Sequence, residues 1–202
     1  FCKDRKIKLV QDAAHAFMAE YNGQPICNFS DFTCFSFQAI KHFTCGDGGA
    51  LVVSNDEYYA KAKKLKWFGY DRESSKDELG NWKAQQAEAD IERGEVGYKF
   101  NMNNISAAIG ISNIPHISNL ISKHRQNAET YLRIFKSSKF ITPIKVQKNS
   151  KPVYWVFTIM LPNCDVRDRL IEKLKEFGIH SGQVHIPNDG YACFKDFATE
   201  LP

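Results

Sequence analysis

The chain lacks the cysteine spacings that build metal or disulfide scaffolds. Its six cysteines stand at positions 2, 27, 34, 45, 164 and 193, with no CxxC pair among them. So few thiols in 202 residues do not make a disulfide framework, and reduced cysteines are expected. No Cys/His spacing supports a zinc site. Asp12, His15, Asp31 and Asp47 could be drawn together as hard-cation ligands, but no metal is expected. The GxxxxGK[ST] spacing is missing, which excludes the phosphate loop of nucleotide hydrolases. No apolar run approaches the roughly 18 residues of a membrane span, and no signal peptide opens the sequence. An excess of one charge is lacking too: the net charge is only +4. Bases alternate with acids, as in DVRDRLIEKLKE (Asp165 to Glu176), which describes solvated helix faces. Neither a nucleic-acid groove nor a membrane partner is indicated, and a cytoplasmic protein is expected.

What is present is enough apolar material, 43% of residues, for one sizeable core or for a large and a small lobe. Lys6 to Val10 reads as a short strand that delivers Gln11 and Asp12 at its C-terminal end. Ala13 to Tyr21 is small, apolar and helix-compatible, and Asn22-Gly23 makes a turn. Phe32 to Phe37 is a buried strand that includes Cys34, and Ala50 to Val53 is another after the break at Gly46 to Gly49. Ser54 or Asn55 caps a helix from Asp56 with Tyr58, Tyr59, Ala62 and Leu65 on its apolar side. Residues 70–95 are polar and without period, a long loop of the kind that is often functional. A helix starts near Met102 to Asn104, Pro115 interrupts it, and a second runs from Ile117 to Phe135. Tyr154 to Leu161 reads as a buried strand, Asp165 as the cap of a helix to Phe177 ended by Gly178, and Ile179 to Val184 as a last strand. The expected domains are residues 1–113 and residues 114–202, the second a small α+β lobe with its linking helix. Both ends of the chain read as cut from a longer protein.

Chemistry concentrates early. If the first strands lie side by side and parallel, their C-terminal ends form a ligand crevice. Asp12 ends the first strand, Ser36 lies near the end of the second, and Lys41 is on the loop after it. An acid, a hydroxyl and an amine gathered there match the needs of a pyridoxal phosphate site. The amine condenses with the aldehyde and later carries a proton. The carboxylate keeps the pyridine nitrogen protonated so that the ring accepts electrons. Hydroxyl and backbone N–H donors hold the phosphate. Taken singly, each residue is as well explained as a cap, a structural hydroxyl or a solvated lysine.

Two segments carry more weight. LVQDAAHAFMAEYNGQPICNFSDFTCFSFQAIKHFTCGDGGALV (Leu9 to Val52) and GYKFNMNNISAAIG (Gly97 to Gly110) closely resemble the DegT/DnrJ/EryC1/StrS sugar aminotransferases. That resemblance implies an α/β fold of the fold-type-I class: a three-layer sandwich, here a partial large domain, plus a small C-terminal α+β domain. It implies Lys41 as the Schiff-base lysine, Asp12 as the pyridine-nitrogen partner, His15 near the cofactor ring and Ser36 on the phosphate. Lys99 stands where the family commonly has Asn reaching the phosphate of the opposite subunit, which implies a homodimer with a shared active site. His185 and Asn188, in QVHIPND, fall where relatives present a histidine loop to the sugar, although Pro187 replaces a residue that is often basic. The implied reaction is ping-pong transfer of an amino group from L-glutamate to a nucleotide-linked keto-deoxysugar, in amino-sugar, polysaccharide or lipopolysaccharide biosynthesis. Relatives with His in place of the lysine dehydrate instead; here Lys41 favours transamination, with His42 following it. The family's small-residue phosphate loop and the aromatic that stacks on the cofactor are not found in these residues, so the chain alone would be a weak binder. The competing readings are a transaminase for a non-sugar substrate and a silent binding protein of the same fold.

Overall fold

The computed structural model describes residues 1–71, 76–81 and 96–197, so most of the expected 70–95 loop lies outside the described residues. Packing divides the chain into two compact units, Phe1–Ala128 with Val146–Trp155, and Glu129–Lys145 with Val156–Pro202. The division expected between residues 113 and 114 does not coincide with this one. Residues 114–128 pack with the first unit because Ile117 and Ile121 close on Ala19 and Val153.

The strands described are β1 (Val10–Asp12), β2 (Glu20–Tyr21), β3 (Gln24–Pro25), β4 (Phe32–Ser36), β5 (Gly49–Val53), β6 (Thr142–Pro143), β7 (Ser150–Lys151) and β8 (Ile159–Met160). The α-helices are α1 (Asp56–Leu65), α2 (Asn104–Asn113), α3 (Ile117–Phe135) and α4 (Cys164–Glu176). In the first unit β1 pairs with β4 in parallel, with Asp12 opposite Cys34. β5 lies antiparallel on the other side of β4, so the expected parallel sheet is a mixed one in the order β1-β4-β5. A parallel β5 would need a long crossover, and the chain between Ser36 and Gly49 is only a loop. Gly49 belongs at that junction: a Cβ there would stand 2.6 Å from the Phe35 carbonyl oxygen.

The first strand begins later than expected. Lys3–Arg5 form a 3-10 turn, and the Asp31 carboxylate accepts the Leu9 N–H at 3.0 Å and pairs with the Lys8 amine at 3.0 Å. That backbone N–H, with Lys8, holds the Asp31 carboxyl below its ordinary value. The Leu9 carbonyl accepts the Phe32 N–H at 3.1 Å, and the paired register begins at Val10. Alternation then sets Asp12, Cys34 and Ser36 on one sheet face and Gln11, Thr33 and Phe35 on the other. Thr33 is the fully buried member, whereas Cys34, expected inside, is exposed.

Ala13 to Tyr21 is not a helix. Its N–H groups close successive short turns, Ala16 to Ala13 and Ala19 to Ala16, and Met18 takes a left-handed φ of 64°. The segment leads into the β2–β3 hairpin, whose Asn22-Gly23 turn has φ of 49° and 72°, the positive pair that a tight hairpin requires. β7 completes that small sheet in the order β3-β2-β7. α2, the 3-10 turn Ile114–His116 and α3 follow the expected pattern, with Pro115 breaking the helix where its missing N–H demands.

In the second unit β6 pairs with β8, Tyr131 and Phe135 of α3 meet Phe157, and α4 is capped by Asn163, two positions before the expected Asp165. Gly178, with φ of 71°, ends α4 as expected. Ile179 to Val184 forms no strand. Among the described residues no helix is long and apolar enough to cross a membrane.

At α1 the Asn55 carboxamide accepts the Tyr58 N–H at 2.9 Å, so Asn55, not Ser54, is the cap. Asn55→Ala is expected to lower unfolding stability by about 1 kcal/mol. Ser54→Ala should stay within about 0.5 kcal/mol. Urea midpoints at unchanged m-value distinguish the two, and equal losses would contradict the assignment.

Candidate active site

Lys41 stands on a loop whose two ends are tied together. The Cys45 N–H donates to the Phe37 carbonyl at 3.0 Å, and the Phe37 N–H donates to Gly48 at 2.8 Å. Cys45 is buried beneath the loop, where lost hydration pushes its thiol above the ordinary value. Phe37 and Phe43 pack edge to face at 4.8 Å, and both meet Phe17. Within the loop the Lys41 N–H donates to Gln38, and the Gln38 N–H reaches the Ser36 hydroxyl at 3.4 Å. The Asn113 amide at the end of α2 donates to the Thr44 carbonyl at 2.9 Å. A loop braced on both sides in this way presents its lysine in a restricted region.

Asp12 ends β1 on the sheet face that also carries Ser36. Its Oδ1 accepts the Ala14 N–H at 3.0 Å, which orients the carboxylate at the strand end. His15 follows one turn later and stacks on Trp155, ring centres 3.8 Å apart and planes 21° apart. The Lys41 amine lies 4.2 Å from the centre of the same indole, and the indole N–H donates to the Ile40 carbonyl at 2.8 Å. Lys41 and His15 are therefore brought together on Trp155, at the C-terminal end of the parallel β1–β4 pair, beside the strand ends that carry Asp12 and Ser36.

Lys99, His185 and Asn188 complete the expected set. Lys99 is exposed and forms an isolated antiparallel bridge with Trp67. His185 and Asn188 belong to the second unit and are exposed, Asn188 opening a short 3-10 turn.

The model of the DegT/DnrJ/EryC1/StrS aminotransferase family matches residues 1–201. The chain belongs to that family. Its members are pyridoxal-phosphate-dependent aminotransferases. A UDP-4-amino-4-deoxy-L-arabinose–oxoglutarate aminotransferase of Shewanella sediminis is 33% identical over 187 residues, 88% of this chain and 45% of that protein. A UDP-4-amino-4,6-dideoxy-N-acetyl-beta-L-altrosamine transaminase of Helicobacter pylori is 29% identical over 91% of this chain and 46% of its own length. Among solved structures, the sugar aminotransferase CalS13 of Micromonospora echinospora superposes with a TM-score of 0.81 at 28% identity, covering 98% of this chain and 50% of that one. The chain thus spans about half the length of the relatives it matches, and its fold is that of part of such an aminotransferase.

Sequence reasoning missed Trp155 and the groups that fix it. The Arg125 guanidinium donates to the Pro152 carbonyl at 3.0 Å, His42 to Val153 at 3.0 Å and His124 to Tyr154 at 3.0 Å. Of these carbonyls Tyr154's belongs to the strand expected from Tyr154 to Leu161, and Tyr154 itself turns to a φ of 50°. Only Ile159–Met160 of that expected strand is one. The signal available was polar: a Trp inside an apolar run carries a donor that must be satisfied when half-buried.

Burial, with the His124 charge beside it, pushes the His42 imidazole below its ordinary value of 6.5. The folded chain keeps it neutral while the unfolded chain protonates it, so the unfolded state binds more protons below pH 6.5. Its contribution to stability is present above that value and is lost as pH falls towards the lowered folded value. The melting temperature of wild type should therefore fall from pH 7.5 to 5.5 more steeply than that of His42→Gln, which should itself be less stable by about 1 kcal/mol at neutral pH. Parallel profiles would rule out this source of pH dependence.

Proposed function

We propose that the protein transfers an amino group from an amino-acid donor, L-glutamate by family expectation, to a nucleotide-linked keto-deoxysugar of the 4-keto-6-deoxy type. The observation that carries the reading is the placement of a lysine amine, a stacked imidazole, a carboxylate and a hydroxyl at one end of a parallel strand pair. Family membership and the nucleotide-sugar names of the relatives support the substrate class. The product would enter amino-sugar or polysaccharide synthesis in the cytoplasm. The unit of Phe1–Ala128 with Val146–Trp155 would then form part of the cofactor-binding domain.

The donor set fits pyridoxal phosphate. Lys41 would hold it covalently, Asp12 would face its ring nitrogen, His15 would lie near its ring, and Ser36 would donate to its phosphate. That group supplies an electron sink that stabilises a carbanion at the donor's α-carbon. Lys41 Nζ would accept the proton from that carbon and return it two bonds away, across the intervening nitrogen, a transfer that needs the amine within hydrogen-bond reach of both positions. Asp12 would set its carboxylate towards the ring nitrogen, where a negative charge favours the protonated ring. Lys99, exposed on this chain, would reach a phosphate across the interface of a homodimer. By the family resemblance, His185 and Asn188 would contact the sugar.

Titrating the intact protein with pyridoxal 5′-phosphate should produce the visible absorbance of a lysine-bound cofactor, and borohydride should fix the adduct on Lys41. Lys41→Ala should lose both and lower turnover with glutamate by at least about a thousandfold, as expected when an activated nucleophile is removed. Absence of uptake by the wild type, or an adduct on another lysine, would end the reading.

A further inference from the structure

We propose that Trp155 is the positioning residue of the Lys41 site, fixing where the Lys41 amine and the His15 imidazole stand relative to each other. Three contacts converge on one indole: the N–H to the Ile40 carbonyl at 2.8 Å, the His15 ring stacked at 3.8 Å and the Lys41 amine 4.2 Å from the ring centre. A residue that merely filled space would need none of the polar contacts. Ile40 precedes Lys41 in the chain, so the bond to its carbonyl ties the edge of the ring to the lysine's own backbone. The ring and the lysine loop consequently move as one body.

The indole is also held from behind. His42, His124 and Arg125 take the carbonyls of Val153, Tyr154 and Pro152, the three residues leading to Trp155. Those bonds fix the backbone from which the ring projects, and the N–H bond to Ile40 holds its rotation. An indole face attracts a cation more strongly than other aromatic faces do, and the amine resting on it loses the freedom that a long side chain otherwise keeps. An aliphatic residue at 155 would return that freedom and leave the imidazole without its stacking surface. The proposal deepens the reading of Lys41 as the reactive amine, yet it concerns only groups of this chain.

Competitive acetylation of the intact protein with acetic anhydride, read lysine by lysine by mass spectrometry, tests it. Trp155→Leu should raise the labelling rate of Lys41 several-fold while distant lysines such as Lys8 and Lys173 keep theirs as internal references. Trp155→Phe retains an aromatic face and should stay closer to wild type than to the leucine variant. Equal Lys41 rates in all three proteins overturn the proposal, as does a phenylalanine variant that labels like leucine. Should the leucine variant not fold, NMR of the wild type decides. The Lys41 ε-methylene protons should be shifted upfield by the indole and cross-relax with its ring protons, and absence of both signs overturns it equally. Cofactor uptake, measured separately, keeps the two readings distinct. Its failure in the wild type refutes the transaminase reading and leaves the labelling result standing. Normal uptake with unchanged Lys41 labelling refutes the positioning role alone.

Discussion

The backbone carbonyls of Pro152, Val153 and Tyr154 are hydrogen-bonded to the side chains of Arg125, His42 and His124, and the arrangement around Lys41 depends on those three bonds. Two of the donors come from α3 and the third from the lysine loop itself. The stretch from Lys151 to Trp155 is thereby fixed against the helix and the loop at once, which is why one indole can meet both Ile40 and His15. A strand at the same place would have spent these carbonyls on a ladder partner and left the imidazoles without acceptors. Buried polar groups must find partners, and here the pairing of side chain to backbone decides the path of the chain.

The same pairing explains what the sequence did and did not disclose. α3 was legible to its ends because Pro115 marks its start and its apolar period persists to Phe135. β4 was legible because five residues of aromatic and β-favouring type have a single compact use. The hairpin turn at Asn22-Gly23 was legible because few other pairs tolerate two positive φ values. Ala13 to Tyr21 and Tyr154 to Leu161 misled for one reason: their composition suits regular structure, but their backbone groups are claimed by distant partners. Arg125 donates to Met18 as well as to Pro152, a contact across 107 residues that no local pattern announces. The positions of Asp12 and Ser36 at strand ends and of Lys41 on the loop that follows were legible because these are local features. Trp155 was not, because its role comes from a fold-level neighbour 115 residues away.

Proton balance at the stem of Trp155 follows from the two imidazoles. His42 and His124 lie with ring centres 4.8 Å apart, and each donates to a carbonyl. An imidazolium can still donate, so acid does not remove either bond by itself. What acid adds is charge: a cation in a buried position loses hydration, and a second cation beside it repels the first. Acidification therefore costs stability at the stem while its donors stay intact.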